Sequence, residues 1–141
     1  MNCQTQNSIR VYNMAAANLG KNLCTNGELG CAETVNRIFK MALGEEIGGG
    51  ASTFNMMPFL KDMLRFKEVT PDLALPGDVI ISPTNFGNGK LAHGHVGIVA
   101  KYGILSNSSA DGRLHEVYDM ATWTSYYHDV GGFPVRIFRV L

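Results

Sequence analysis

The sequence of 141 residues predicts an α+β domain, with N-terminal helices packed on a C-terminal antiparallel β-sheet. Up to Leu64, apolar residues recur at three- and four-residue steps. From Val79 onward they gather instead in short β-rich runs bounded by Gly, Pro, Asn and Asp. No internal repeat, low-complexity tract or long linker divides the chain, so residues 1–141 read as a single domain.

The first helix is expected over Ser8–Leu19, through Ile9, Val11, Tyr12, Ala15, Ala16 and Leu19, with Ser8 as N-cap and Gly20 as C-cap. Lys21–Gly30, rich in Asn and Gly, reads as a loop. A buried helix then starts at Cys31, carries Val35, Ile38, Phe39 and Ala42 on one face, and stops near Gly44. After Gly48-Gly49-Gly50, Ser52 or Thr53 caps a third helix through Phe54, Met57, Leu60 and Leu64. Pro76-Gly77-Asp78 is a turn into the strand Val79-Ile80-Ile81, which ends at Ser82-Pro83. Further strands are expected at His95–Ala100, Ile104–Ser108, Leu114–Tyr118 and Phe133–Val140, with Ala121–His128 either a short helix or an irregular crossing. The aromatic cluster Trp123, Tyr126 and Tyr127 on that crossing reads as core packing.

Hydrophobic residues make up 45% and charged residues 17%, a composition that builds a core without disulfide or metal. Formal net charge is zero, which removes the broad electrostatic case for nucleic acid. No apolar run reaches the ~20 residues of a membrane span. The segment Met1–Asn7 is polar, without a signal-peptide core, so the chain is expected to be made in the cytoplasm. Its three cysteines cannot all pair within the chain. Cys3 reads as incidental and Cys24 as structural. Neither Cys-x-x-Cys nor His-x-x-x-His occurs, so no metal or cofactor is expected.

Cys31 stands where a loop becomes a helix, in Gly30-Cys31-Ala32-Glu33. Unpaired N–H groups and the macrodipole at a helix start favour negative charge, which predicts a lowered thiol pKa. Gly30 leaves room for a substrate, and the Cys31 N–H lies where an acyl oxyanion would form. His95 opens a strand in Ala92-His93-Gly94-His95-Val96-Gly97-Ile98-Val99, where a side chain can face a cleft. A thiol needs a base to take its proton and an acid to protonate the leaving amine, and the imidazole supplies both. The next strand brings Ser106-Asn107-Ser108 beside His95, making Asn107 the candidate for fixing the ring and Asp78 its rival carboxylate.

Cys31 opening a helix, then Pro76-Gly77-Asp78-Val79-Ile80, then His95-Val96-Gly97-Ile98-Val99, resembles the NlpC/P60 and CHAP cell-wall hydrolases. The likeness covers roughly Ala15 to Ser109. It implies a papain-like fold and hydrolysis of a peptidoglycan peptide or sugar–peptide amide, with stem peptides as partners and a monomer as the working form. Cys31 would be nucleophile, His95 general base and acid, and Asn107 the polar third member. Asn26, Tyr12 and Asn18 are candidates for the oxyanion side-chain donor. The chain departs from the NlpC/P60 Asp-Cys-Ser-Gly motif at Gly30-Cys31-Ala32-Glu33, and from the aromatics that CHAP members place after the cysteine. A phage lysin released by a holin, or an effector exported by specialised secretion, would act in the periplasm or on the cell wall. The alternatives are a thiol acyltransferase or deamidase on the same scaffold, and a catalytically silent binding module. Specificity is expected in the loops Gly48–Thr53 and Pro83–Lys90.

Overall fold

The computed structural model describes residues 1–24, 30–50 and 52–141. Helix α1 spans Gln6–Ala17, α2 Gly30–Leu43 and α3 Thr53–Leu60. The strands are β1 Phe66–Val69, β2 Val79–Ser82, β3 His95–Val99, β4 Ile104–Asn107, β5 Leu114–Tyr118 and β6 Arg136–Val140. Between β5 and β6, α4 at Met120–Trp123 runs into a π-helical stretch, Thr124–Val130. Helices first and an antiparallel sheet second is the α+β order that the periodicities predict. None of the described helices is long and apolar enough to cross a membrane.

All six strands form one sheet in the order β1-β6-β2-β3-β4-β5, and every neighbouring pair is antiparallel. Alternation along each strand splits its side chains between two cores. Val79, Ile81, Val96, Ile98, Leu105 and Phe138 meet Val11, Ala15, Val35, Ile38 and Phe39 of the helices on one face. Ile80, Val99, Ile104 and Ile137 meet Trp123, Tyr127 and Phe133 on the other. Burial on both faces is why β2 reads as an uninterrupted apolar run.

Several boundaries differ from the sequence reading. Thr5, not Ser8, caps α1; Ser8 returns the bond to the Thr5 N–H, completing a capping box, and Asn18 rather than Gly20 is the C-cap. Helix α3 stops at Leu60, because Asp62 turns the chain with its own carboxylate on the Leu64 N–H, leaving Met63 and Leu64 exposed. Strand β1 has no counterpart in the reading; only its ends are buried, and Lys67-Glu68 between them gives no strand pattern. Strand β6 begins at Arg136 rather than Phe133, since Pro134 offers no N–H to a ladder. Of the loop expected over Lys21–Gly30, residues 21–24 belong to no helix or strand and Gly30 already opens α2; residues 25–29 lie outside the described residues.

Candidate active site

The start of α2 is pressed onto β4. A Cβ built on Gly30 would lie 2.7 Å from Asn107 Nδ2 and 2.8 Å from Cys24 Sγ. The space that Gly30 leaves is therefore filled by this chain's own side chains, not kept open for substrate. Cys31, next in line, is half-buried, and its sulfur faces backbone N–H groups of Ala32, Val96 and Cys31 itself. Val96 follows His95, so the sulfur at the helix start reaches the first peptide of β3.

His95 is held from behind. Gly94 packs so closely on the Ser82 carbonyl that no side chain fits there, and its N–H donates to Thr84 Oγ1 at 3.0 Å. Thr84 in turn donates its N–H to Thr53 Oγ1 at 2.9 Å, tying the loop to the start of α3. The imidazole is stacked on Trp123 (centroids 5.2 Å apart, 28° between planes) and Tyr127 (5.6 Å, 17°), with the Tyr118 ring edge-on at 6.1 Å. Trp123 is itself fixed by its Nε1–H donating to Ser82 Oγ at 3.0 Å. Ser82 is the β2 residue paired with His95.

Cys31, His95 and Asn107 all line one cleft of about 730 Å³. Thr53, Thr84, Lys90, His93, Ser108, Ser109, Val117, Tyr118 and Tyr126 also line it. Convergence on a cleft is not contact, however. Among the described residues, neither ring nitrogen of His95 makes a hydrogen bond to Cys31, Asn107 or any other group. The β3–β4 register explains Asn107: Ile98 pairs with Leu105 and Val99 with Ile104, so positions 105 and 107 face the helices. His95 lies on the opposite face with Val99 and Trp123. Asn107 Oδ1 instead lies 3.5 Å from Cys24 Sγ, which donates toward it and toward Asn22 Oδ1 at 3.1 Å.

Among the described residues, the other sequence candidates do not line the cleft. Asp78 is buried in a two-pronged pair with Arg139, at 2.8 Å on each prong. Asn18 is buried on α1 and donates to the Met14 carbonyl, and Tyr12 packs on the helical core. Asn26 lies outside the described residues. Trp123 and Tyr127 are indeed core residues, while Tyr126 is exposed on the cleft wall. Sequence reasoning missed that this cluster cradles the histidine. The four-residue step from Trp123 to Tyr127, placing both rings on one helical face, was the available signal.

Electrostatics follow burial. Desolvation pushes the Cys31 thiol up, and the three backbone N–H groups that favour thiolate do not overcome it. The lowered thiol pKa expected from the helix start is thus reversed. Desolvation also lowers His95, to about 4, so at neutral pH the ring is uncharged. The Tyr127 hydroxyl is raised by burial, by its hydrogen bond with Tyr118, and by the nearby Cys31. The site is a neutral thiol beside a neutral imidazole. No cluster of three His, Cys, Asp or Glu residues able to hold a metal occurs among the described residues. No family model matches the chain, and no curated protein shows detectable sequence similarity to it.

Proposed function

We propose that this chain is a cysteine hydrolase of papain-like fold that cleaves a peptide or amide bond of peptidoglycan through an acyl-thioester. One observation carries the reading: the Cys31 sulfur faces the N–H of Val96, the residue after His95, and both side chains line the same cleft. The Cys31–His95 order and the strings quoted above support the substrate class by resemblance.

A neutral pair sets the sequence of proton movements. Sγ attacks the carbonyl carbon as its proton passes to a ring nitrogen of His95, since free thiolate is disfavoured at a buried sulfur. The oxyanion meets backbone N–H groups at the start of α2. His95 then protonates the departing amine, leaving an acyl-thioester; it afterwards takes a proton from the attacking water and returns it to Sγ as the C–S bond breaks, releasing the acid and restoring the neutral pair. The ring is oriented by stacking on Trp123 and Tyr127 in place of a polar third residue.

Cys31→Ser and His95→Ala are each expected to lower release of fragments from purified sacculi by at least ~10³-fold with folding retained. Muropeptide mass spectrometry would name the bond, and near wild-type release from either variant would remove that residue from the mechanism. The absence of a Cys31–His95 hydrogen bond favours a second reading, a silent module that binds muropeptides. Under that reading no wild-type fragment appears, and Cys31→Ala binds as the parent does.

A further inference from the structure

The two walls of the cleft differ in chemistry. The segment between β2 and β3 contributes two exposed basic side chains, Lys90 and His93; β5 and the stretch after α4 contribute Val117, Tyr118 and Tyr126. The chain has as many acidic as basic residues, yet among the described residues no Asp or Glu lines this cleft. Three carboxylates on the segments around it are engaged within the protein, while Glu116 of β5 is exposed but does not line the cleft. Asp111 accepts from the Arg113 N–H and bonds His115, Asp119 caps α4 through the Thr122 N–H, and Asp129 lies 3.1 Å from His128. Neither Lys90 nor His93 has a carboxylate partner among the described residues.

We propose that the cleft selects an acyl donor that carries a free carboxylate, held by Lys90 and His93, with its apolar portion against Val117 and Tyr126. The proposal rests on the amide-hydrolase reading and narrows its substrate class. A cation on a cleft with no opposing carboxylate attracts anions there, because low-dielectric walls focus its field. Within contact distance the Lys90 ammonium forms a charge-assisted hydrogen bond, and a His93 N–H adds direction. The aromatic wall carries no charge to compete.

The test separates binding from turnover. Cys31→Ala protein is titrated with fluorescently labelled muropeptide stems whose carboxyl groups are either free or amidated, and anisotropy is read. The free acid should bind about tenfold more tightly, the scale of one charge-assisted contact. Lys90→Glu should abolish or invert that preference, and His93→Ala should reduce it. Equal affinity for acid and amide, a preference that survives the Lys90→Ala/His93→Ala double variant, or no binding of either form overturns the proposal. Wild-type digestion of the same stems judges the hydrolase reading by itself. Cleavage of both forms at equal kcat/KM overturns only the charge selection, whereas charge-dependent binding without cleavage leaves it standing and overturns the hydrolase.

Discussion

His95 is the residue at which packing most alters chemistry. The ring is lowered from an ordinary 6.5 to about 4 because folding removes it from water among Trp123, Tyr127 and Tyr118. Below pH 6.5 the unfolded chain therefore binds a proton that the native ring refuses. Stability should fall as pH drops from 6.5 toward 4 and this contribution should level off below that, by about 1–3 kcal/mol after allowing for partial exposure of the ring. Urea melts of wild type and His95→Gln across pH 4–7 measure it: the variant should lose that slope, and parallel profiles would refute the cause. The position of His95 was legible, since a histidine opening a β-branched run must sit at a sheet end. Its cage was legible only in part: the four-residue step from Trp123 to Tyr127 sets two rings on one helical face, but no spacing places them against a histidine more than twenty residues earlier. Cys31 was legible as a junction residue, while its raised pKa depends on how deeply α2 sinks against β3, which only the tertiary packing decides.

At the scale of elements, each short motif turns out to be shaped by backbone approach. Gly97 of the His-Val-Gly-Ile string lies so close to β4 that a Cβ would come within 2.7 Å of Ile104 Cγ2 and 2.9 Å of the Leu105 carbonyl oxygen. Gly77 of Pro-Gly-Asp has φ 97° and packs on the Ser8 backbone of α1, where no Cβ fits. Gly97→Ala should destabilise the fold by about 1–3 kcal/mol, the usual cost of overpacking, by separating β3 from β4. Chemical denaturation reads the loss directly, and an unchanged midpoint would show that β4 can yield. Element types were legible where period and length agreed, as in α2 and β5. They were illegible in β1, a strand made by docking beside β6 and not by its own four residues. Register was the deeper gap. Choosing between Ser106, Asn107 and Ser108 as the neighbour of His95 requires the pairing of Val99 with Ile104, which turns Asn107 to the helical face.

Across the whole molecule, one buried ion pair joins segments that are distant in sequence. Arg139 of β6 donates through Nε and Nη2 to both carboxylate oxygens of Asp78, the residue before β2, and through Nη1 to Asn2 Oδ1 and the Cys3 carbonyl oxygen. Nη2 also reaches the Leu73 carbonyl oxygen, and Asp78 accepts from the Leu75 N–H. Both side chains are almost wholly enclosed, so removing either leaves the other charge buried and unpaired, at a cost of about 3–5 kcal/mol. Asp78→Leu and Arg139→Met should each lower the unfolding free energy read from urea melts by that amount, while Asp78→Leu/Arg139→Met together should cost less than the sum. Because Asp78 does not line the cleft, Asp78→Ala molecules that remain folded should keep wild-type kcat on sacculi at low temperature. The opposite pattern, intact stability with lost turnover, would return Asp78 to the catalytic role for which the sequence made it a rival of Asn107. It would also require the first residues of β2 to open toward His95, a movement that the five hydrogen bonds of Arg139 oppose.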